Sequence, residues 1–588
     1  MRKLLILLVL LPVVVFSQGQ LRWAADGKSY YQIESGDLAR YTLPAQSRTV
    51  VVSKAELTPT GGAALKVRNF HFSADGKQLL IFTNTKKVWR LDTRGDYWVL
   101  NLETKKLQQL GASLPASTLM FAKLSPDGKK AAYTSQNEVY MEDLATGKVT
   151  ALTSDHKPKL INGTFDWAYE EEFACRDGFQ WSPDSQQISF WQIDASKIRD
   201  FYMINNTDSV YSRLVPVEYP TAGEAPSPAR IGVVNVNTFK TTWLAIPGEA
   251  HQNYLPRMEW TSTNDLLVQQ LNRKQNESRI FQCNPTNGEA KLIYSERDEA
   301  WIEIYSPWEN VYAIDFRHKF NWINGGKEFL WFSEKDGWRH VYRIGRDGKE
   351  KLITAGTFDV MDIRGVDEKN NALYFLASPT NATQKYLYKA KLDGSGKAER
   401  VTPAAQAGTH DYTLSPDCQF AFHSFSNSYT QRVTEWVSLN NHKGLNETES
   451  FESKIKKAEG DKKVEFFTIK TSDGIDMDAL MVKPKDFDPK KKYPVVFMVY
   501  TEPWGANVHD TFGVADNYMF NGDMAEEGYF YITVDNRGTP APKGRAWRKS
   551  IYRKVGLLNI SDQAAAAREI LKWPYIDPER VAVWGWSG

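Results

Sequence analysis

Leu124-Ser125-Pro126-Asp127-Gly128 is the clearest copy of a short pattern that recurs through about the first 450 residues. In each copy an aromatic or apolar strand leads into a turn rich in Asp, Gly, Asn and Pro, and a second strand follows. The other copies begin at Trp23, Phe72, Trp181, Trp260, Trp322, Val366 and Leu414. The eight starts are mostly about 45 to 60 residues apart, and such a repeat is typical of β-propeller blades. We therefore predict an eight-bladed β-propeller, with an irregular β-sandwich as the alternative, and an insertion in the long gap between the fourth and fifth starts.

Composition places the chain among globular proteins. Its 588 residues are 42% hydrophobic and 24% charged, which allows a large core and excludes disorder as the main state. The 73 basic and 71 acidic residues leave a formal net charge of +2. No strong field therefore draws the chain to nucleic acid or to an anionic membrane.

The first 17 residues have the pattern of a secretory signal peptide. Met1-Arg2-Lys3 is a basic start, Leu4 to Phe16 is an apolar run, and Ser17 is a small residue at a plausible cleavage site. The run is too short for an ordinary membrane-spanning helix, which needs about 20 residues. We expect a secreted or periplasmic protein without a membrane span after cleavage. An uncleaved membrane anchor is the alternative.

The three cysteines do not indicate a disulfide framework. Cys175, Cys283 and Cys418 are few, lack C-x-x-C spacing and leave at least one thiol unpaired. We therefore expect stability to come from packing.

The pattern changes after residue 453. Residues 18–453 are assigned to the propeller, and the lysine-rich residues 454–463 are interpreted as a linker. Residues 464–588 contain continuous apolar runs at 495–500 and 529–534, and a helix-forming stretch between Ser561 and Lys572, with Ser561 as N-cap. Strands that alternate with helices predict a parallel α/β sheet. We interpret it as the N-terminal part of an α/β-hydrolase domain.

Gly585-Trp586-Ser587-Gly588 supplies four of the five positions of the G-x-S-x-G nucleophile motif. That motif places a serine on a sharp turn between strand and helix, with the next backbone N–H directed at the oxyanion. The alternative is a glycine-rich turn. All nine histidines precede Ser587, whereas α/β-hydrolases carry their acid and base after the nucleophile. We therefore expect the 588-residue chain alone to be inactive.

Four motifs resemble those of the dipeptidyl peptidase IV branch of the prolyl oligopeptidase family. They are Asp166 to Phe173 (D-W-x-Y-E-E-E), Tyr500 with Pro503, Val534 to Gly538 (V-D-x-R-G) and Gly585 to Ser587. The resemblance implies an eight-bladed propeller followed by an α/β-hydrolase domain. It also implies that Glu171 and Glu172 bind the substrate's amino group, that Tyr500 and the N–H of Gly588 stabilise the oxyanion, and that Ser587 is acylated.

Two positions depart from the family pattern. Glu502 stands where the family commonly has glycine, so a carboxylate lies near the oxyanion site. The family also places an arginine ahead of the glutamate motif, and no arginine occurs between Arg94 and Arg176. The expected position falls near residues 113–115, where Lys105, Lys106 or nothing replaces it.

Taken together, the motifs predict a secreted serine exopeptidase that releases Xaa-Pro or Xaa-Ala dipeptides through an acyl-enzyme on Ser587. Its partners are peptides with a free N-terminus, and a homodimer is possible. One alternative is a propeller-based peptide-binding protein with a vestigial hydrolase domain, and another is a tripeptidyl peptidase or oligopeptidase of the family. Without the resemblance, the three glutamates predict a solvated helix face and Tyr500 a packed core residue. No metal-binding or phosphate-binding motif is present, so we expect neither a metal nor another cofactor.

Overall fold

The computed structural model describes residues 21–586 except 262–264, 307, 309–310, 312, 314–318, 446–447 and 518–521. The predicted signal peptide, Ser587 and Gly588 therefore lie outside the described residues.

The first sheet shows how the repeated turn is built. Asp26 accepts hydrogen bonds from the backbone N–H of Lys28 at 2.9 Å and from the Ser29 hydroxyl at 2.8 Å. Four later copies replace this arrangement by a serine hydroxyl that donates to the aspartate two residues on, at 2.6 Å each time: Ser73–Asp75, Ser125–Asp127, Ser182–Asp184 and Ser415–Asp417. Such side-chain bonds favour turns.

The first sheet has four antiparallel strands, which are β1 (Arg22–Trp23), β2 (Ser29–Glu34), β3 (Asp37–Thr42) and β4 (Ser47–Val52).

The second and third repeats form one sheet of eight strands. Its strands are β5 (Asn69–Phe72), β6 (Gln78–Val88), β7 (Leu91–Asn101), β8 (Leu107–Gln109), β9 (Leu119–Leu124), β10 (Lys130–Ser135), β11 (Glu138–Asp143) and β12 (Val149–Ala151). The two four-stranded units join because the long strand β7 also pairs with β9, with Arg94 opposite Met120.

The fourth repeat carries both a helix and an extra hairpin. Its elements are β13 (Leu160–Asn162), α1 (Trp167–Phe173), β14 (Phe179–Trp181), β15 (Gln187–Asp194), β16 (Asp200–Asn205), β17 (Arg213–Glu218), β18 (Ala229–Asn235) and β19 (Thr241–Trp243). β16 and β17 pair only with each other, and the other five strands form one sheet. The hairpin lies in the long gap where the repeat spacing predicts an insertion.

Four regular antiparallel sheets of four strands follow. The first comprises β20 (Asn253–Trp260), β21 (Leu266–Asn272), β22 (Glu277–Cys283) and β23 (Ala290–Arg297), and the second β24 (Trp322–Ile323), β25 (Glu328–Ser333), β26 (His340–Gly345) and β27 (Glu350–Leu352). The third comprises β28 (Val360–Asp367), β29 (Ala372–Ala377), β30 (Tyr386–Lys391) and β31 (Glu399–Arg400), and the fourth β32 (Thr409–Leu414), β33 (Phe420–Asn427), β34 (Thr430–Ser438) and β35 (Lys443–Gly444). Short 3-10 turns occur at Ala250–Gln252 and Asn324–Gly326.

Apolar side chains fill the space between neighbouring sheets. One such cluster joins Ala132 and Val139 of the eight-stranded sheet to Phe179 and Ile188 of the next. The last sheet packs on the first, where Trp436 stacks on Tyr30 with ring centroids 4.3 Å apart. Among the described residues these repeats give seven sheets besides the β16–β17 hairpin, rather than eight, because two units are fused. The closed eight-bladed ring stays a prediction.

The last part of the chain is an α/β unit, as the sequence predicts, but its sheet is mixed rather than parallel, because β37 pairs antiparallel with both β36 and β39. Its elements are α2 (Phe451–Ala458), β36 (Val464–Lys470), β37 (Asp476–Val482), β38 (Tyr493–Val499), β39 (Phe530–Val534), α3 (Arg545–Lys549), α4 (Leu558–Ile570) and β40 (Ile576–Gly585). The strand order is β36-β37-β39-β38-β40, and β38 is parallel to both β39 and β40. Ser561 lies inside α4 and is not its N-cap, and the predicted linker is partly helical because α2 extends through residue 458.

A cluster of buried charges holds the α/β unit against the repeat region. Three basic side chains of α3 contact three carboxylates of the repeat region, and we call these six residues the ionic interface: Asp298, Glu334, Asp359, Arg545, Arg548 and Lys549. Helix α3 thereby sets the position of one unit against the other. In the described ranges, no helix has the length and apolar character that a membrane crossing needs. Cys175, Cys283 and Cys418 are buried free thiols.

Candidate active site

The three consecutive glutamates lie on the short helix α1. Asp166 caps this helix by accepting the backbone N–H of Tyr169 at 3.0 Å, and the hydroxyl of Ser227 fixes the other carboxylate oxygen at 2.6 Å. Tyr169 and Phe173 are one helical turn apart, and each is only 1% exposed. Because these two rings anchor one face of α1 in the core, the residues between them are left to face a cavity.

Arg90 is a cavity residue that the sequence analysis did not single out. It lies at the tip of the β6–β7 hairpin, next to Trp89, and its Nη2 donates to a carboxylate oxygen of Glu171 at 3.0 Å. Residues 113–115 are not among the described residues that line the cavity, and which residue takes the role of the family's arginine stays a prediction. Lys105 pairs with Glu56, and neither Lys105 nor Lys106 is among the described residues that line the cavity.

Tyr500 follows directly after the buried strand β38, and its surroundings hold its ring and backbone. The side-chain amide of Asn507 donates to the backbone carbonyl of Tyr500 at 3.0 Å. A Cβ at Gly505 would lie 2.9 Å from the Tyr500 ring, so a glycine is required there. The loop after Tyr500 therefore packs directly against the tyrosine ring.

The V-D-x-R-G motif supports the loop that follows Tyr500. Asp535 accepts the backbone N–H groups of Asn507 at 2.8 Å and Val508 at 3.1 Å. Burial raises the pKa of Asp535 to about 6, although these two hydrogen bonds oppose the shift. Arg537 forms a two-point ion pair with Asp562 of α4, with its closest contact at 2.6 Å. Both motif residues therefore position the backbone around the site.

Side chains from both parts of the chain line one cavity of about 350 Å³. It brings together the sequence-predicted residues Glu171, Glu172 and Tyr500, and it also contains Arg90 and Glu502. Four further aromatic residues form much of its wall: Trp89, Trp167, Tyr305 and Trp504. Tyr305 and Trp504 come from different parts of the chain and stack with ring centroids 6.1 Å apart.

The cavity is rich in carboxylates whose protonation is sensitive to their surroundings. Burial raises the pKa of Glu170 to about 7, against the opposing charge of Arg176. Loss of water around Glu172 raises its pKa as well, and the negative charge of Glu171 adds to this. Arg176 is 8% exposed and donates to the backbone carbonyl of Val311 at 2.6 Å. A cationic ligand group would favour the ionised form of these carboxyls.

The strand that leads to Ser587 runs beside the strand that leads to Tyr500. In this parallel pair Gly585 lies opposite Val499, and a Cβ at Gly585 would lie 2.7 Å from the Val499 carbonyl oxygen. The first glycine of the nucleophile motif is thus needed for close packing of the two strands. Ser587 and Gly588 lie outside the described residues.

Comparison with known proteins agrees with this arrangement. The family model described as "Dipeptidyl peptidase IV (DPP IV) N-terminal region" matches residues 73–432, which is more than half of the chain. The chain belongs to the dipeptidyl peptidase IV family. A second model, "Prolyl oligopeptidase family", matches residues 518–588.

Relatives of the dipeptidyl peptidase IV family match almost the whole chain. The "Probable dipeptidyl peptidase 4" of Arthroderma benhamiae is 26% identical over 96% of this chain and 71% of its own length. The "Probable dipeptidyl-aminopeptidase B" of Talaromyces marneffei is also 26% identical, over 96% of this chain and 64% of its own length. The crystal structure of Porphyromonas gingivalis dipeptidyl peptidase 4 superimposes with a TM-score of 0.85 at 26% identity, covering 96% of this chain and 78% of that one.

Proposed function

We propose that this protein is a serine dipeptidyl peptidase that acts outside the cytoplasm, in the periplasm or as a secreted enzyme. One observation carries the proposal: Glu171 and Glu172 of the repeat region line the same cavity as Tyr500 of the α/β unit. The glutamates suit a free amino group, and the tyrosine suits a developing oxyanion. A cavity that offers both groups fits a peptidase that works from the N-terminus of its substrate.

In the proposed mechanism the two glutamates hold the substrate's ammonium group by charge-assisted hydrogen bonds. Arg90 pairs with Glu171 and, in the role that the family resemblance implies for this arginine, holds a substrate carbonyl. An ammonium group held at a fixed distance from the nucleophile lets only one peptide bond reach it. We propose that this bond is the one after the second residue, so that a dipeptide leaves.

The chemical step we propose is attack by Ser587 on the carbonyl carbon of the second residue. The hydroxyl of Tyr500 and the backbone N–H of Gly588 then donate to the oxyanion. The C–N bond breaks and the proton of the serine hydroxyl passes to the departing nitrogen, so the rest of the peptide leaves with a new amino terminus. Water hydrolyses the acyl-enzyme to release the dipeptide. Xaa-Pro and Xaa-Ala are the proposed dipeptides, on the strength of the family resemblance.

The ammonium contact gives the sharpest test of this function. Replacing Glu171 or Glu172 by Gln removes one charge-assisted bond, worth about 1.5–3 kcal/mol or roughly 10- to 150-fold in kcat/KM. An N-acetylated Xaa-Pro amide lacks the ammonium group, so it should be a poor substrate and respond little to either substitution. The assays use a protein of full family length, because the chain spans 71% of the Arthroderma relative.

Glu103→Gln is the matched control, because Glu103 is an exposed partner of Lys77 outside the cavity, with 61% of its side chain exposed. It should leave kcat/KM unchanged. Equal values for wild type, Glu171→Gln and Glu172→Gln would end the aminopeptidase proposal. Labelling by a fluorophosphonate tests the nucleophile separately, since it should be lost in Ser587→Ala and kept in both glutamate variants.

We also propose that two copies associate through the β16–β17 hairpin. The hairpin projects apolar side chains into solvent, including Ile204 at 69% and Tyr211 at 85% exposure. Large exposed apolar patches are typical of interaction surfaces. Sedimentation velocity should give a dimer for wild type and a monomer for an Ile204→Ser, Tyr211→Ser variant. A wild-type monomer at micromolar concentration would refute the association.

A further inference from the structure

Three histidines and a glutamate are gathered in the last sheet of the repeat region, and none of them lines the active-site cavity. His410 lies on β32, His423 on β33, Glu435 on β34 and His442 in the turn before β35. His410 and His423 are fully buried and Glu435 is 5% exposed. The proposed peptidase mechanism uses none of them.

The buried groups form a chain of three close contacts. The Nε2 atom of His410 lies 3.1 Å from the backbone carbonyl oxygen of Gln406. The Nδ1 atom of His410 lies 2.8 Å from Nε2 of His423. The Nδ1 atom of His423 lies 2.7 Å from a carboxylate oxygen of Glu435. All three separations are hydrogen-bond distances.

A count of protons shows that two neutral imidazoles cannot satisfy this chain. A carbonyl oxygen and an ionised carboxylate only accept, so Nε2 of His410 and Nδ1 of His423 must both carry hydrogens. The contact between the two rings then needs a third hydrogen, whereas two neutral imidazoles carry only two. The cluster therefore requires one further positive charge, which is either a proton or a metal ion.

We propose that this charge is a divalent metal ion of the zinc type, bound by His423, Glu435 and His442. One donor atom from each of these three side chains lies within 4.8 Å of the other two. Two imidazoles and a carboxylate are ligands that zinc prefers, and a water molecule would complete its usual four. A shared proton accounts for His423 and Glu435 and leaves His442 to the Tyr412 hydroxyl, which lies 2.8 Å from its Nε2. A metal ion would join His442 to the other two.

A metal ion at Nδ1 of His423 also resolves the hydrogen-bond count. That nitrogen then needs no hydrogen, so His423 donates from Nε2 to Nδ1 of His410, and His410 donates from its own Nε2 to the Gln406 carbonyl. Both rings stay neutral. Outer partners of this kind are what orient metal-bound histidines in proteins.

The proposed site has a structural consequence. It would tie together β33, β34 and the turn that carries His442. The ring of Phe451, the first residue of α2, lies 5.1 Å from the His423 ring. Helix α2 begins the segment that leads into the α/β unit, so the metal would brace the start of that connection.

Zinc binding to the chain itself tests the proposal. Protein stripped with EDTA is titrated with Zn²⁺ against a chromophoric chelator, and its melting temperature is measured with and without the metal. Wild type should bind one equivalent and melt at a higher temperature with zinc. His410→Gln removes an outer partner and should weaken binding by about 10- to 100-fold. His442→Gln removes a ligand and should weaken binding by more.

His156→Gln is the control, because His156 lies outside the cluster with 68% of its side chain exposed. It should bind zinc as wild type does. Equal zinc affinity in wild type and His442→Gln, or no zinc bound by wild type, would overturn the proposal. The further positive charge would then be a proton. If the variants fail to fold, X-ray absorption on zinc-loaded wild type decides, since it should show two imidazole ligands and overturns the site if it shows none.

Discussion

Replacing Arg548 by methionine should loosen the α/β unit from the repeat region. The guanidinium of Arg548 bonds Asp359 at 2.6 and 2.8 Å and also donates to Glu334. The side chains of Arg548, Glu334 and Asp359 are only 8%, 7% and 0% exposed. Methionine keeps most of the volume but removes the charge, so two buried carboxylates lose a cationic partner.

The expected cost follows from the contacts that remain. Removing one partner of a buried ion pair costs about 3–5 kcal/mol. Lys549 still reaches Glu334 at 2.7 Å, and the backbone N–H of Gly544 still donates to Asp359 at 2.7 Å. These contacts place the loss near the lower limit, about 3 kcal/mol, or roughly 150-fold in the unfolding equilibrium.

Urea unfolding measures this loss, followed by tryptophan fluorescence and by far-ultraviolet circular dichroism. Two probes are needed because a chain of two units need not unfold in one step. Arg199→Met is the control, since Arg199 pairs with Glu224 at the surface with 79% of its side chain exposed, and it should change stability by less than about 0.5 kcal/mol.

A second variant separates charge from packing. In Arg548→Met with Asp359→Asn one of the stranded carboxylates is neutral, so part of the lost stability should return. If Arg548→Met unfolds like the Arg199→Met control, the ionic interface does not hold the two units together. The same result would mean that helix α3 does not hold the two sides of the active-site cavity in position.

Three further results are expected. Hydrogen bonds from Arg545 and Lys549 outweigh burial and lower the pKa of Asp298 to about 2. Because this is below the unfolded value of about 3.9, the stabilisation by Asp298 is complete above about pH 5 and is lost as the pH falls towards 2. Asp298→Asn should therefore reduce the loss of stability that urea unfolding shows at acid pH. Because Glu170 has a pKa of about 7, its carboxyl gains a negative charge between about pH 6 and 8, and dipeptide affinity measured by calorimetry should rise over that range. An equal rise in Glu170→Gln would show that Glu170 does not attract the dipeptide's amino group. Tyr500→Phe should lower kcat by about 10²–10³-fold with little change in KM. Gly505→Ala should lower kcat as well, because its Cβ would lie 2.9 Å from the Tyr500 ring. An unchanged kcat in both variants would make Tyr500 a packing residue.

Local chemistry allowed much of the fold to be predicted from the sequence. The turn at Ser125–Asp127 is built by a hydrogen bond between residues two apart, so the same letters predict the same turn wherever they recur. The apolar run that became β38 has its three central residues, Val495 to Phe497, buried in the sheet, and its composition predicts such a strand. Asp166 caps helix α1, and the sequence from Asp166 to Phe173 also matches a family motif. That match identified the glutamates of α1 as candidate site residues.

Other features depended on contacts between residues far apart in the chain, which no local pattern encodes. The fusion of two repeats into one sheet depends on the pairing of Arg94 with Met120. Arg90 could be recognised only when the β6–β7 hairpin brought it within 3.0 Å of Glu171. The histidine cluster is assembled from three strands and a turn, so its ligands have no motif spacing. In each case the free energy of the contact is realised only after the intervening chain has folded, because only then do the partners meet.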